Sequence, residues 1–273
     1  MKTSALKKFS IAALVVGLTL AAGIPAAEIN LPDIGSPADA ALSKNEEAKI
    51  GRAIMQQIRA SGELVEDPQV TEYINEIGHR LAAQANIDGI HEFSFFVIDN
   101  PAINAFALPG GFIGVHTGLL EATRNEDELA GVLSHEVAHV TQRHLARRIH
   151  ATQRQSILST AIMLGAVLAG VAGGASSDAL QGAIAISQGT AAQQQINFTR
   201  NNEYEADRVG ISSLAAAGFD PQGMGSFFEV LSRGNITPTD RRVPEFLRTH
   251  PVSSARIAEA RGRARSYAPV HTA

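Results

Sequence analysis

The chain has 273 residues, 45% of them hydrophobic, enough to bury the core of one large domain or two small ones. Its formal net charge is −4 and no block of basic residues occurs, which argues against a nucleic-acid partner. The absence of cysteine excludes a disulfide framework, a thiol nucleophile and sulfur metal ligands, so any metal must be held by nitrogen and oxygen.

Lys2, Lys7 and Lys8 precede an apolar run from Ile11 to Ile24, followed by Pro25, Ala26 and Ala27. The run is shorter than the ~20 residues of a spanning helix. This pattern predicts a secretory signal peptide over residues 1–27 and a periplasmic protein; the alternative is an uncleaved anchor that holds the protein facing the periplasm. Residues 28–41 read as a loose lead-in. Ser43, with Glu46 three positions on, starts a helix by a capping box and carries it to about Ala60. Asp67-Pro68 opens a second helix through about Ala85. Phe93 to Ile98 is a strand by composition, and Ala105 to Val115 holds two strand pieces around the turn Pro109-Gly110-Gly111.

The most informative stretch follows. His135-Glu136-Val137-Ala138-His139 is an H-E-x-x-H motif in a helix expected from Glu126 to Ile149. The apolar flanks Leu129, Val132, Leu133, Val137 and Val140 have helical period, and Glu126, Asp127 and Glu128 suit the positive end of the helix dipole. Residues four apart on a helix lie nearly one above the other, so His135 and His139 offer two imidazoles to one metal ion. Glu136, about 100° round the axis, reaches a water at the metal without ligating it. This is the geometry of a zinc-dependent peptide hydrolase. His144, five residues beyond His139, is expected to leave the ligand face for a helix-surface or core role. His116, just past the second strand piece, is a weaker candidate for the cleft.

Residues 154–200 are almost uncharged and rich in Ala and Gly. They are expected to form a helical hairpin that covers the active site or rests on a membrane surface. Next, Glu203-Tyr204-Glu205-Ala206-Asp207 begins a helix expected to run to about Ala217. Glu203 and Asp207 share one face while Glu205 points away. Glu203 is thus the candidate third ligand, with Asp207 behind it against a ligand imidazole. A helix from Gln222 to about Arg233, a loop from Gly234 to Pro244 and a last helix from Pro251 to Arg265 complete the chain.

H-E-x-x-H followed by E-x-E-A-D resembles the HtpX- and BepA-like zinc metallopeptidases of peptidase family M48. Asn104-Ala105-Phe106-Ala107-Leu108-Pro109-Gly110-Gly111 looks like the family's N-A-F-A-x-P-G-G strand, and Thr249-His250-Pro251, with Arg256-Ile257, like its T-H-P-x-x-x-x-R-I segment. The resemblance covers about Leu42 to Tyr267. It implies an α+β, mainly α, zincin-like (gluzincin) domain over residues 42–268 with a small sheet beside the active-site helix. A short tail is expected at 269–273, without the C-terminal repeat domain of some relatives. It also implies one zinc ion per chain, a catalytic role for Asp207 beside Glu136, and a switch role for His250 as a fourth ligand that keeps the enzyme latent. Substrate is expected to pair by its backbone with Ala105, Phe106, Ala107 and Leu108, or else with Ile113 to Val115, with Gly110 and Gly111 giving close approach or flexibility. The expected activity is endopeptidase cleavage of misfolded or unassembled envelope polypeptides, with a membrane-surface or outer-membrane assembly contact. The alternative is a chaperone-like assembly factor with little or regulated proteolysis.

Overall fold

The structure, a computed structural model, describes residues 37–85, 92–154, 156, 177–234 and 244–267. The expected signal peptide, the first arm of the expected hairpin at 157–176 and most of the Gly234–Pro244 loop lie outside the described residues.

Part of the expected lead-in is helical, as α1 (Pro37–Ala41). Helix α2 (Lys44–Ser61) begins with the expected capping box, in which Ser43 accepts from Glu46 N and the Glu46 carboxylate accepts from Ser43 N. Helix α3 (Pro68–Ala82) is capped by Asp67, which accepts from Gln69 N and Val70 N. Three strands follow: β1 (Ser94–Ile98), β2 (Ala105–Leu108) and β3 (Phe112–His116). They form one sheet in the order β1-β3-β2, with β3 parallel to β1 and antiparallel to β2. The β2–β3 turn needs two left-handed residues in a row, and Gly110 (φ 80) and Gly111 (φ 93) supply them.

Short helix α4 (Thr117–Ala122) leads to α5 (Glu126–Thr141), whose N-cap Asn125 accepts from Glu128 N. The apolar stripe read in α5 understates its burial. Every residue from Glu128 to Ala138 is buried, on all faces of the helix. Helix α5 packs on α3, the sheet, α7 (Ser177–Ala216) and α8 (Gln222–Gly234). Contact with α8 is close enough to need glycine: a Cβ on Gly131 would lie 2.7 Å from Met224 N. Two further helices, α9 (Glu245–Thr249) and α10 (Ser254–Ala264), close the fold. This is a mainly helical α+β domain with a three-stranded sheet.

Three boundaries differ from expectation. Helix α5 ends at Thr141 rather than Ile149, because Arg143 adopts φ 53 and a new helix, α6, occupies residues 144–154. A left-handed non-glycine residue costs about 1–2 kcal/mol. The Arg143 guanidinium is anchored by Asp39 and Glu47 and donates to Leu42 O at 2.6 Å. The helix bearing Glu203 begins at Ser177, so the second arm of the expected hairpin and the ligand helix are one 40-residue element. The last helix starts at Ser254 rather than Pro251, because Ser253 caps it by accepting from Arg256 N. Among the described residues, no helix is long and apolar enough to cross a membrane.

The α5–α8 contact sets where the H-E-x-x-H helix lies. Gly131→Ala should lower stability by about 1–3 kcal/mol through overpacking, read as a fall in the urea midpoint; an unchanged midpoint would contradict this contact.

Candidate metal centre

The buried middle of α5 presents both motif histidines toward α7. His135 Nε2 and His139 Nε2 are 3.0 Å apart. Glu203, about two turns before Gly210, which touches Ser134, brings its carboxylate to 3.4 Å from His135 Nε2 and 3.5 Å from His139 Nε2. His250, at the end of α9, adds Nδ1 at 3.3 Å from His135 Nε2 and 3.2 Å from either Glu203 oxygen. Zinc bonds of about 2.0–2.1 Å arranged tetrahedrally put neighbouring donors about 3.3–3.4 Å apart. Five of the six donor pairs are thus within a few tenths of an ångström of the edges of such a tetrahedron. Donors limited to imidazole and carboxylate also suit zinc.

Glu136 lies on the wall of the same cleft and is buried; its Oε1 has no hydrogen-bond partner, and His250 Nε2 is 3.5 Å away. An unpaired buried carboxylate oxygen is costly unless something else is meant to meet it. Asp207, one turn past Glu203, places Oδ1 3.0 Å from His135 Nδ1, the ring nitrogen turned away from the other donors. Its opposite neighbour is Arg256, which grips Asp207 with two hydrogen bonds of 2.7 Å and reaches Glu203 Oε2 at 3.0 Å.

Charge explains why these groups sit together. One guanidinium, bound to Asp207 and Glu203, stands against three buried carboxylates, those two and Glu136, leaving two formal negative charges. A divalent cation would neutralise them. Burial disfavours a charged His135, but Asp207 and Glu203 outweigh it and hold the imidazole up at about 9. Burial opposes ionisation of Glu203 as well, yet His135 and His250 keep its carboxyl far below the usual range. Burial raises Asp207 less than Arg256 and His135 lower it. His139 is pushed well down by burial and by its imidazole neighbours.

The cleft, of about 260 Å³, is bordered by β2. Phe106, Ala107 and Gly110 line it, whereas Ala105 is fully buried and Gly111 does not reach it. Strand β2 is the edge of the sheet, paired only with β3 among the described residues. The alternative pairing strand, Ile113 to Val115, is ruled out: β3 is central and hydrogen-bonded on both sides. His116 is buried, packs against Phe106 and does not line the cleft. His144 departs from expectation in the other direction. Its Nδ1 lies 2.8 Å from His139 Nδ1, because the chain turns at Arg143. Arg256 was legible only as the R of T-H-P-x-x-x-x-R-I; its grip on Asp207 and Glu203 has no local sequence signal.

The backbone around His250 is clamped on both sides. His250 N donates to Phe246 O at 2.7 Å, and Arg256 Nη1 donates to Pro251 O at 2.8 Å.

A buried H-E-x-x-H helix completed by a glutamate from a second helix, beside a small mixed sheet, defines a zincin-like metallopeptidase domain. Sequence comparison agrees, and the chain belongs to peptidase family M48, whose pattern matches residues 68–264. Beta-barrel assembly-enhancing protease of Escherichia coli (strain K12) is 42% identical over 269 residues, which is 97% of this chain and 54% of the relative. The protein of the same name from Yersinia pestis is 43% identical over 257 residues, 92% of this chain and 50% of the relative. More distantly, Mitochondrial metalloendopeptidase OMA1 of Schizosaccharomyces pombe is 31% identical over 189 residues, 68% of this chain and 51% of that protein. The chain therefore spans about half the length of the curated relatives it matches.

Arg256 is buried, and its removal strands two carboxylates. Arg256→Met should lower stability by about 3–5 kcal/mol, measured by chemical denaturation in the presence of chelator. A loss below 1 kcal/mol, about the worth of an exposed pair, would show that the cluster does not depend on the guanidinium.

Proposed function

We propose that this protein is a zinc endopeptidase that cleaves misfolded or unassembled envelope polypeptides. The observation that carries the reading is the set of donor atoms on His135, His139 and Glu203, spaced at 3.0–3.5 Å with the Glu136 carboxylate alongside. When bound, zinc supplies Lewis acidity, bringing the pKa of a water to roughly 7 and offsetting charge on the scissile carbonyl. The residues supply the rest. Glu136 takes the proton of the attacking water and returns it to the leaving nitrogen. Asp207 faces His135 Nδ1, which orients the ring and leaves Nε2 free as a donor; this supports a positioning role rather than proton donation to substrate. Arg256 holds Asp207 in that place. An extended substrate adds to the free edge of β2, along Phe106 and Ala107, through backbone hydrogen bonds that impose little sequence preference.

His250 is the fourth corner of the donor set and sits beside Glu136. With this imidazole on the metal the site has the four protein ligands of a closed structural centre. That supports a latent resting enzyme, and it is the observation that favours the second reading, an assembly factor with little or regulated proteolysis. One relative is named as a protease that enhances β-barrel assembly, which supports clients on that assembly route. Periplasmic residence rests on the signal-peptide pattern of residues 1–27.

Purified protein should contain one zinc per chain, and His135→Ala should lose it. Glu136→Gln should keep the zinc and cleave casein about 10²- to 10⁴-fold more slowly. Cleavage by Glu136→Gln at the wild-type rate would remove Glu136 as the base, and chelator-insensitive cleavage would remove the metal from the reaction. His250→Ala should retain zinc and cleave casein faster than wild type. An unchanged or slower rate at full zinc occupancy would end the latency reading.

A further inference from the structure

His144 is buried, lies outside the donor set, and has no part in the chemistry above. Had α5 continued, His144 would stand about 140° round the axis from His139. Instead the left-handed Arg143 folds the chain back, and the two rings meet edge to face with 4.7 Å between centroids. His144 Nδ1 is 2.8 Å from His139 Nδ1, and His144 Nε2 is 3.2 Å from Glu205 Oε2. Arg147, one turn along α6 from Arg143, fixes that carboxylate with a hydrogen bond of 2.7 Å.

We propose that His144 is a positioning residue for His139, joined to Glu205 in a two-step relay that sets which nitrogen of His139 faces the metal. The inference rests on the zinc site proposed above. His139 turns Nε2 toward His135 and Glu203, so that nitrogen must be unprotonated to act as a donor. The proton of a neutral His139 is then on Nδ1. A 2.8 Å contact between two ring nitrogens needs one donor and one acceptor, so His144 Nδ1 accepts and its own proton sits on Nε2. From there it donates to Glu205 Oε2, a carboxylate that can only accept. Each member thus dictates the tautomer of the next. His135 Nδ1 faces Asp207 Oδ1 at 3.0 Å on one side of the site, and His139 Nδ1 faces His144 on the other. The departure of Arg143 from helical geometry gains a function in this arrangement: it delivers the imidazole that a straight helix would carry away.

Zinc affinity, measured by competition with a chromophoric chelator, tests the relay. His144→Leu fills the space without an acceptor and should bind zinc about 10- to 100-fold more weakly than wild type. His144→Asn, whose side-chain oxygen falls near the position of Nδ1, should recover most of that loss. Wild-type affinity in His144→Leu, or equal weakening in Leu and Asn, would overturn the relay while leaving the zinc site standing. A wild-type protein with no zinc affinity would overturn both. A second measurement needs no variant. Nitrogen-15 histidine spectra of zinc-loaded wild type should show neutral His144 protonated on Nε2; a proton on Nδ1 would overturn the proposal.

Discussion

Three carboxylates and one guanidinium share a pocket from which water is nearly excluded, and the rest of the fold is arranged around that imbalance. Charges of one sign cannot remain together at low dielectric without compensation. Arg256 compensates one of them, and a dication held by His135, His139 and Glu203 would compensate the other two. The same imbalance explains the contrary behaviour of two adjacent imidazoles. His135, against Asp207 and Glu203, is driven toward the charged form, while His139, facing other imidazoles, is driven away from it. Catalytic potential and the opposed protonation preferences of the two imidazoles thus have a common origin.

Rigidity comes from the way α5 is enclosed. A surface helix can tilt or shift on its apolar stripe. Helix α5 is surrounded by α3, the sheet, α7 and α8, and approaches α8 at backbone distance through Gly131. Donor atoms that must be held to a few tenths of an ångström are carried on two long helices packed against each other along α5 and α7. The element that borders the cleft differs: β2 is short, is paired on one side only, and joins β3 through two left-handed glycines. The helices that carry the donor atoms are thus enclosed, while the strand that borders the cleft keeps one unpaired edge among the described residues.

Much of this was legible because it depends on short-range spacing. The four-residue intervals of His135 with His139 and of Glu203 with Asp207 fix shared helix faces whatever the tertiary context. The capping box at Ser43 and the glycine pair at the β2–β3 turn are equally local. What escaped depends on contacts distant in sequence or on conformations that residue type does not announce. Arg143 is neither Gly nor Asn, so nothing local marked the left-handed turn that brings His144 back to His139. The first half of α7 lacks an apolar period, being rich in Ala and Gln, and so its continuity with the Glu203 helix could not be read. The central place of β3, which bars Ile113 to Val115 from pairing with another chain, is a fact of sheet order that strand patterns do not carry.

The backbone clamps on either side of His250 set the scale of any movement there. Phe246 O holds the residue's own amide, and the buried Arg256, itself locked to Asp207, holds the carbonyl of Pro251. Withdrawing the segment as a flap would break both hydrogen bonds and disturb the guanidinium that balances the pocket. Turning the imidazole about its own side-chain bonds disturbs neither. A rearrangement that keeps both hydrogen bonds is therefore confined to the ring, while the backbone that carries it remains part of the frame.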